Sequence, residues 1–388
     1  MISEFALTVL LALALFLEGI GFPYDRKLPL YLIIVLPLIL FSFNRIKHIE
    51  IPKYLGILYS VFVCFSFIAT VLSVDLNKSF EFLLFYIALG LIFIYVYNNR
   101  KVIEQFIIPF ILAFATFFTV YSIILPSLIN QFSFLEPQFG YQMVFSRFGS
   151  HNHLGDFLLL PLVICFYYLL TKGQKYLIRA TLAILLFLPY FLFSYSRSAY
   201  ISFVIVLALM LFQLIRKVSK FSPSRAILVI FVLGVATLFM FSVVRTEDDN
   251  NITTVLTQKH DLSYKAPEGR RIDYVRQGML SVAEKPLFGV GPGNFGYASK
   301  KYLQNEEYWT ETAHNIFLEI LVENGIPAGI VFILIIFELL RRSKKNLFFY
   351  LALALLFNFQ MDYTYRIYSF FALFVIVGAL FYQEKNKN

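Results

Sequence analysis

The chain has 388 residues, of which 59% are hydrophobic and 15% charged, against about 25% charged in an ordinary soluble domain. Its formal net charge is +9 and its mean hydropathy is +0.72. Such a chain has too little polar surface to cover a soluble core. It reads as a multi-span membrane protein and excludes a nucleic-acid-binding domain or a disulfide scaffold as its main business. Cys64 and Cys165 lie far apart inside apolar runs and read as small buried hydrophobes.

In chain order, apolar runs predict twelve spans, at about 2–21, 29–43, 55–74, 80–97, 106–129, 154–170, 178–193, 198–215, 226–244, 316–338, 347–361 and 367–382. The first run is too long for a signal-peptide core and carries Glu4 in place of a basic leader, so no cleavable signal is expected. The runs are continuous, not alternating, which favours helices over barrel strands. With the N-terminus inside, the inner loops and C-terminal tail hold 18 Lys and Arg, and the short outer loops hold 6. That bias predicts both termini in the cytoplasm. The remaining 9 lie in one long outer segment, 245–313. The expected organisation is therefore an all-α polytopic membrane protein with about twelve transmembrane helices and one large periplasmic loop containing helices. Spans 1 to 9 fall within residues 1–244, the loop within 245–313, and spans 10 to 12 within 314–388.

Loops between packed helices are ordinarily short, so the long outer segments are where chemistry is sought. The shorter one, about 130–153, runs into the apolar helix as SRFGSHNHLGDFLLLP and brings Arg147, His151, His153 and Asp156 with it. Ionisable groups at membrane depth must face protein or water; at headgroup level the same residues would only cap the helix. SYSRSAY puts Arg197 in a tight turn between two apolar runs, where it either snorkels outward or presents a guanidinium to a lipid phosphate.

In the longer segment, RRIDYVRQGMLSVAE at 270–284 spaces Ile272, Val275, Met279 and Val282 on one helical face, with Pro286 ending the helix. Arg270, Arg271 and Arg276 head it and would form an anion site with the helix N-terminus, Asp273 being spaced to pair with one of them. GVGPGNFG, at 289–296, fits neither a Walker loop nor a dinucleotide fingerprint; it suits sharp turns or a backbone nest for phosphate.

The strongest constellation is ETAHNIFLEILVENGIPAG. His314 stands just before a helical run, whose N-terminal potential disfavours imidazolium and favours a neutral base, with Glu311 acting in the opposite sense. Glu319 and Glu323 are one turn apart and suited to orient an arginine. Gly325 and Gly329 permit close helix packing. Asp362, Tyr363, Tyr365 and Arg366 make the last outer turn. No metal site emerges: His151, His153 and Asp156 offer only a weak alternative. Outward arginines with a neutral histidine beside lipid suit a phosphate or pyrophosphate and the removal of a hydroxyl proton.

These motifs give the chain its resemblance to the O-antigen ligase and O-antigen polymerase superfamily of bacterial lipid-linked glycan transferases. They are GSHNHLGDFLLLP, SYSRSAY, GRRIDYVRQGMLSVAEKPLFGVGPGNFG and AHNIFLEILVENGIPAG, and the last two, in that order on one outer segment, are the more specific. The resemblance implies a cofactor-free, metal-independent, inverting glycosyltransferase of the bacterial inner membrane with its active site on the periplasmic face. The donor it implies is a glycan on undecaprenyl diphosphate. The acceptor is a sugar of the lipid A core in a ligase, or the end of another lipid-linked repeat in an O-antigen or exopolysaccharide polymerase. By the same resemblance His314 is the catalytic base, and Arg197 with Arg270 or Arg271 binds diphosphate, assisted by Arg276. Arg271 is preferred for its position three residues before Tyr274. Arg147, His151, His153, Asp156, Glu319 and Glu323 would be supporting residues. The long late loop leans toward the ligase over the polymerase and over transfer to protein. A membrane transporter is the alternative of another class, although no internal inverted repeat is visible.

Overall fold

The computed structural model describes residues 49–129, 151–172, 174–194, 196–216, 267–304, 308–343 and 345–383. The expected spans at 2–21, 29–43 and 226–244, and Arg147, lie outside the described residues. Within the described residues the chain is helical, apart from one bridge between Ser343 and Tyr382. In order come α1 (Lys53–Val71), α2 (Leu76–Asn98), α3 (Arg100–Ile129), α4 (His151–Thr171), α5 (Gln174–Phe193), α6 (Arg197–Arg216), α7 (Pro267–Glu284), α8 (Phe295–Lys301), α9 (Ile316–Arg341), α10 (Leu347–Asn358), a 3-10 turn (Thr364–Arg366) and α11 (Tyr368–Phe381). The expected spans that fall on described residues are all helices, and α1, α2, α3, α4 and α9 are long and apolar enough to cross a membrane. The protein is thus all-α and membrane-associated.

Side-chain caps set several helix starts. Asp75 accepts the Lys78 amide at 3.1 Å, Asn315 the Leu318 amide at 3.0 Å and Asn346 the Phe349 amide at 3.3 Å. Each satisfies a donor that a helix start leaves open. The helix α4 is buried along most of its length and packs on α5, α6 and α10. Around it, α2, α10 and α11 share an aromatic core in which Phe85 meets Tyr368 at 4.9 Å and Phe359 meets Phe374 at 5.8 Å. Cys165 lies in this core, but Cys64 is exposed on α1, contrary to the sequence reading of both as buried. That reading took an apolar run to mean burial, and a membrane helix can turn one side to lipid instead.

The pair α10 and α11 has only 12 and 14 residues. At 1.5 Å per residue, each falls short of the ~30 Å hydrocarbon thickness. The reason is the connection between them. Asn358, Asp362 and Thr364 are fully buried, so the turn is set inside the bundle. Irregular backbone is tolerated at such depth when protein, not lipid, surrounds it.

The helix α9 breaks at Gly325, whose φ of 82° and ψ of 172° lie where only glycine is comfortable. Into the break fits the glycine-rich 289–296 segment. Val290 N–H donates to the Val322 carbonyl at 3.0 Å, Gly291 N–H to the Glu323 carbonyl at 2.9 Å, and Ile326 N–H to the Pro286 carbonyl at 2.8 Å. On its other side the Val290 carbonyl accepts from Val74 N–H, and Ser79 Oγ donates to the Pro292 carbonyl. The segment is therefore a plug between α2 and α9. Its amides at 290 and 291 are already used, so they are not a phosphate nest.

The helix α7 ends at Glu284, ahead of Pro286 as expected, but it packs through a different face. Ile272, Val275 and Met279 are 72%, 48% and 54% exposed, and only Val282 of the expected stripe is buried. The buried side is instead Tyr274, Gln277, Gly278 and Ser281, with α8 and α9 packed against the helix. The cause is close approach: a Cβ at Gly278 would meet Leu318 of α9 at 3.0 Å. Gln277 is satisfied by Ser299 Oγ at 2.8 Å and the Tyr308 carbonyl at 3.2 Å, so its polarity does not keep it at the surface.

Substituting Gly325 by alanine would bring a Cβ within 2.2 Å of the Leu287 carbonyl and force an unfavourable φ. Gly325→Ala is expected to cost more than ~2 kcal/mol. A clear drop in melting temperature in detergent would register this loss; an unchanged melting temperature would show that the break tolerates a side chain.

Candidate active site

The site is built where α7, the start of α9 and the α10–α11 turn converge. His314 has a φ of 52°, the only positive value at a non-glycine position among the described residues. Left-handed backbone is uncommon for side-chain-bearing residues and is held by surroundings. Here the flanking groups hold it. Ala313 N–H donates to Glu319 Oε2 at 2.6 Å, Asn315 caps α9, Asn315 Nδ2 donates to the Gln360 carbonyl at 3.2 Å, and Ile316 N–H donates to the Phe359 carbonyl at 3.0 Å.

The imidazole meets two aromatic rings. It stacks on Tyr274 of α7, with centroids 5.4 Å apart and planes 18° apart, and meets Tyr363 edge to face at 4.9 Å. Tyr363 also meets His153 of α4, edge to face, at 5.0 Å. His314 Nδ1 is buried, without a hydrogen bond, 3.9 Å from Asp362 Oδ1. The ring is nonetheless reachable, with 21% of its side chain exposed. Burial holds its pKa down at about 4, and the charges of Arg271 and His153 act in the same sense. The imidazole is therefore neutral at pH 7. The sequence argument reached that state through the helix terminus; desolvation is the larger cause.

Behind Asp362 runs a buried polar chain. Ser198 Oγ lies 3.3 Å from both Asp362 Oδ2 and Asp156 Oδ1. Asp156 Oδ1 also accepts from Ser196 Oγ at 2.9 Å and Asn358 Nδ2 at 2.7 Å, and Asn358 Oδ1 accepts from Thr364 Oγ1. Gly155 allows the approach, since a Cβ there would fall 2.3 Å from Ser194 Oγ. Arg197 is the first residue of α6, half-buried between Ser196 and Ser198. The Ser-Arg-Ser turn is thus anchored by its serines to the acids that lead to His314.

Among the other expected residues, Arg271 is exposed at the head of α7, close enough for its charge to act on His314. Arg276 is half-buried, with Nη1 3.5 Å from the Tyr302 carbonyl at the end of α8. Asp273 takes no arginine partner among the described side chains. The side chains of Arg270 and His151 lie outside the described residues, though both backbones belong to helices. Glu319 and Glu323 do hold an arginine, and it is Arg366: its Nε meets Glu319 Oε1 and its Nη2 meets Glu323 Oε1. The sequence reading places Arg366, with Asp362, Tyr363 and Tyr365, in the last outer turn without assigning it to the two carboxylates. A visible signal was the polar string NFQMDYTYR between two apolar runs.

A histidine neutral at pH 7 in the fold but near 6.5 when unfolded makes stability depend on pH. As pH falls from 6.5 toward 4 the unfolded chain binds a proton that the native imidazole refuses, so this group's contribution destabilises progressively; above 6.5 it has no effect. His314→Gln is expected to flatten part of the fall in melting temperature between pH 7 and pH 4.5. Identical pH slopes for the two proteins would contradict the depressed value.

No curated protein matches the chain. Residues 180–333 match the family model described as O-Antigen ligase, a stretch that runs from α5 into α9 and contains Arg197, Arg271, His314, Glu319 and Glu323.

Proposed function

We propose that the protein is a membrane glycosyltransferase that moves a glycan from undecaprenyl diphosphate to a hydroxyl of the lipid A core oligosaccharide, with inversion and without a metal. The observation that carries this reading is the setting of His314, held neutral between Tyr274 and Tyr363 with Arg271 in electrostatic range, inside the stretch that matches the family. In the proposed step, the acceptor hydroxyl gives its proton to His314 Nε2 as its oxygen forms a bond to the anomeric carbon. The bond from that carbon to the diphosphate oxygen breaks, and its electrons leave with the diphosphate. Asp362, beside Nδ1, would stabilise the imidazolium as it forms. Arg197 and Arg271 would hold the leaving group, with Arg270 and Arg276 in support. A bound diphosphate would also offset the positive potential that Arg271 exerts on His314, raising basicity when the donor is in place.

The Tyr274 and Tyr363 rings beside the imidazole suit contact with the C–H groups of a sugar ring. The apolar runs support twelve spans, and the charge bias of the loops supports both termini in the cytoplasm of a bacterium, with residues 245–313 on the periplasmic side of the inner membrane as a unit between the spans of 1–244 and 314–388. A polymerase joining lipid-linked repeats is the second reading, favoured by the same superfamily match.

The test is reconstitution of the full chain with a lipid-linked glycan donor and, in parallel, lipid A core or a second lipid-linked repeat. Transfer to lipid A core is expected. Transfer only to the second repeat would establish the polymerase instead, and no transfer to either would overturn the reading. His314→Ala should lower kcat by at least ~100-fold with donor binding retained; near-normal turnover would remove His314 as the base. Because kcat/KM reports the free enzyme, its acid limb should lie well below pH 6.5.

A further inference from the structure

The buried ion cluster beside the site has a geometry that the proposed chemistry does not use directly. Glu319 Oε2 accepts from Ala313 N–H at 2.6 Å and from Tyr365 Oη at 2.5 Å, while Oε1 takes Arg366. Glu323 Oε1 accepts from Phe295 N–H at 3.0 Å as well as from Arg366. Both glutamate side chains are almost wholly buried, and the Arg366 side chain is 11% exposed. One face of Arg366 lies over the Phe82 ring of α2 at 4.5 Å. The cluster therefore joins three separate pieces of chain. Through Glu319 it fixes the amide just before His314; through Glu323 it fixes the end of the glycine-rich plug; through its own backbone it fixes the turn that carries Asp362 and Tyr363.

Burying two carboxylates and a guanidinium is a poor way to gain stability, because desolvation offsets most of the attraction. Its use is geometric: a fork that must meet two carboxylates admits few arrangements. We propose that Arg366 is a positioning residue, which by gripping Glu319 and Glu323 together keeps His314 in its left-handed conformation and in register with Asp362. The consequence for turnover rests on the proposed role of His314 as base; the consequence for the conformation of His314 does not.

The experiment uses the full chain in lipid nanodiscs and two readouts. The first is the rate at which diethylpyrocarbonate modifies His314, followed by peptide mass spectrometry. The second is transfer, resolved into kcat and KM. Arg366→Lys keeps the charge but cannot fork, Glu319→Gln keeps the shape but loses the charge, and Tyr365→Phe removes one hydroxyl only. In the first two variants His314 should be modified at least about fivefold faster as its loop loosens. In the same two, kcat should fall by roughly 10- to 100-fold with KM within about threefold. Tyr365→Phe, the variant with the least cause to misfold, should shift both readouts in the same direction by about twofold. Unchanged modification of His314 in folded Arg366→Lys and Glu319→Gln, or in Tyr365→Phe should those two not fold, would overturn the proposal. If His314→Ala retained transfer while these variants loosened the loop, the positioning of His314 would stand and its role as base would fall.

Discussion

A guanidinium gripped by two carboxylates, which in turn accept from a phenol and two backbone amides, is a demanding thing to build beside a membrane, and much of the surrounding architecture follows from it. The carboxylates must sit one turn apart on a helix, which α9 provides at Glu319 and Glu323. The arginine must arrive on a turn that enters the protein, so α10 and α11 are short and Thr364 and Tyr365 are buried. Glu323 must also reach the amide of Phe295, so the glycine-rich segment has to press into the break of α9. Positive φ and the missing side chain at Gly289 and Gly325 are what let the two stretches of backbone come that close.

The polar chain through Asp156, Ser196, Ser198, Asn358 and Asp362 is the second support. It links α4, α6 and the α10–α11 turn beneath the imidazole, where unsatisfied polar groups would be costly. Between these two supports, His314 is set in a pocket that is aromatic on two sides, acidic beneath and positive from the α7 direction. Such a site can receive a proton at a nitrogen that is neutral beforehand, while an anion is attracted from the side where the arginine lies. That combination is what glycosyl transfer from a diphosphate requires, and it is why the proposed function gives leaving-group binding and proton removal to different residues.

Composition and run length were sufficient to read the helices, because a span must be long and apolar whatever it packs against. The suitability of Glu319 and Glu323 for holding an arginine was legible too, since helical spacing brings residues four apart to one side, whereas the neutrality of His314 was reached through the helix terminus and rests chiefly on burial. The identity of the arginine was not legible: Arg366 lies 43 residues beyond Glu323, and only the depth of an intervening turn brings it back. The packed face of α7 was misread because its apolar stripe is the exposed one. Contact there depends on a small Gly278 and on Gln277 finding Ser299, and periodicity in hydropathy does not register either. The phosphate-nest reading of GVGPGNFG gave way for a similar reason. Glycines that admit an anion equally admit a neighbouring backbone, and here the carbonyls of Val322 and Glu323 arrive first.

The central claim is that one pocket beside His314 takes both the diphosphate and the acceptor hydroxyl. The most direct measurement is a structure of the full chain with an undecaprenyl-diphosphate-linked sugar bound. The account predicts diphosphate oxygens within hydrogen-bond distance of Arg197 and Arg271, and the anomeric carbon facing His314 with room for one hydroxyl between them. A donor seated on another face of the bundle, or a diphosphate held away from both guanidiniums, would contradict it.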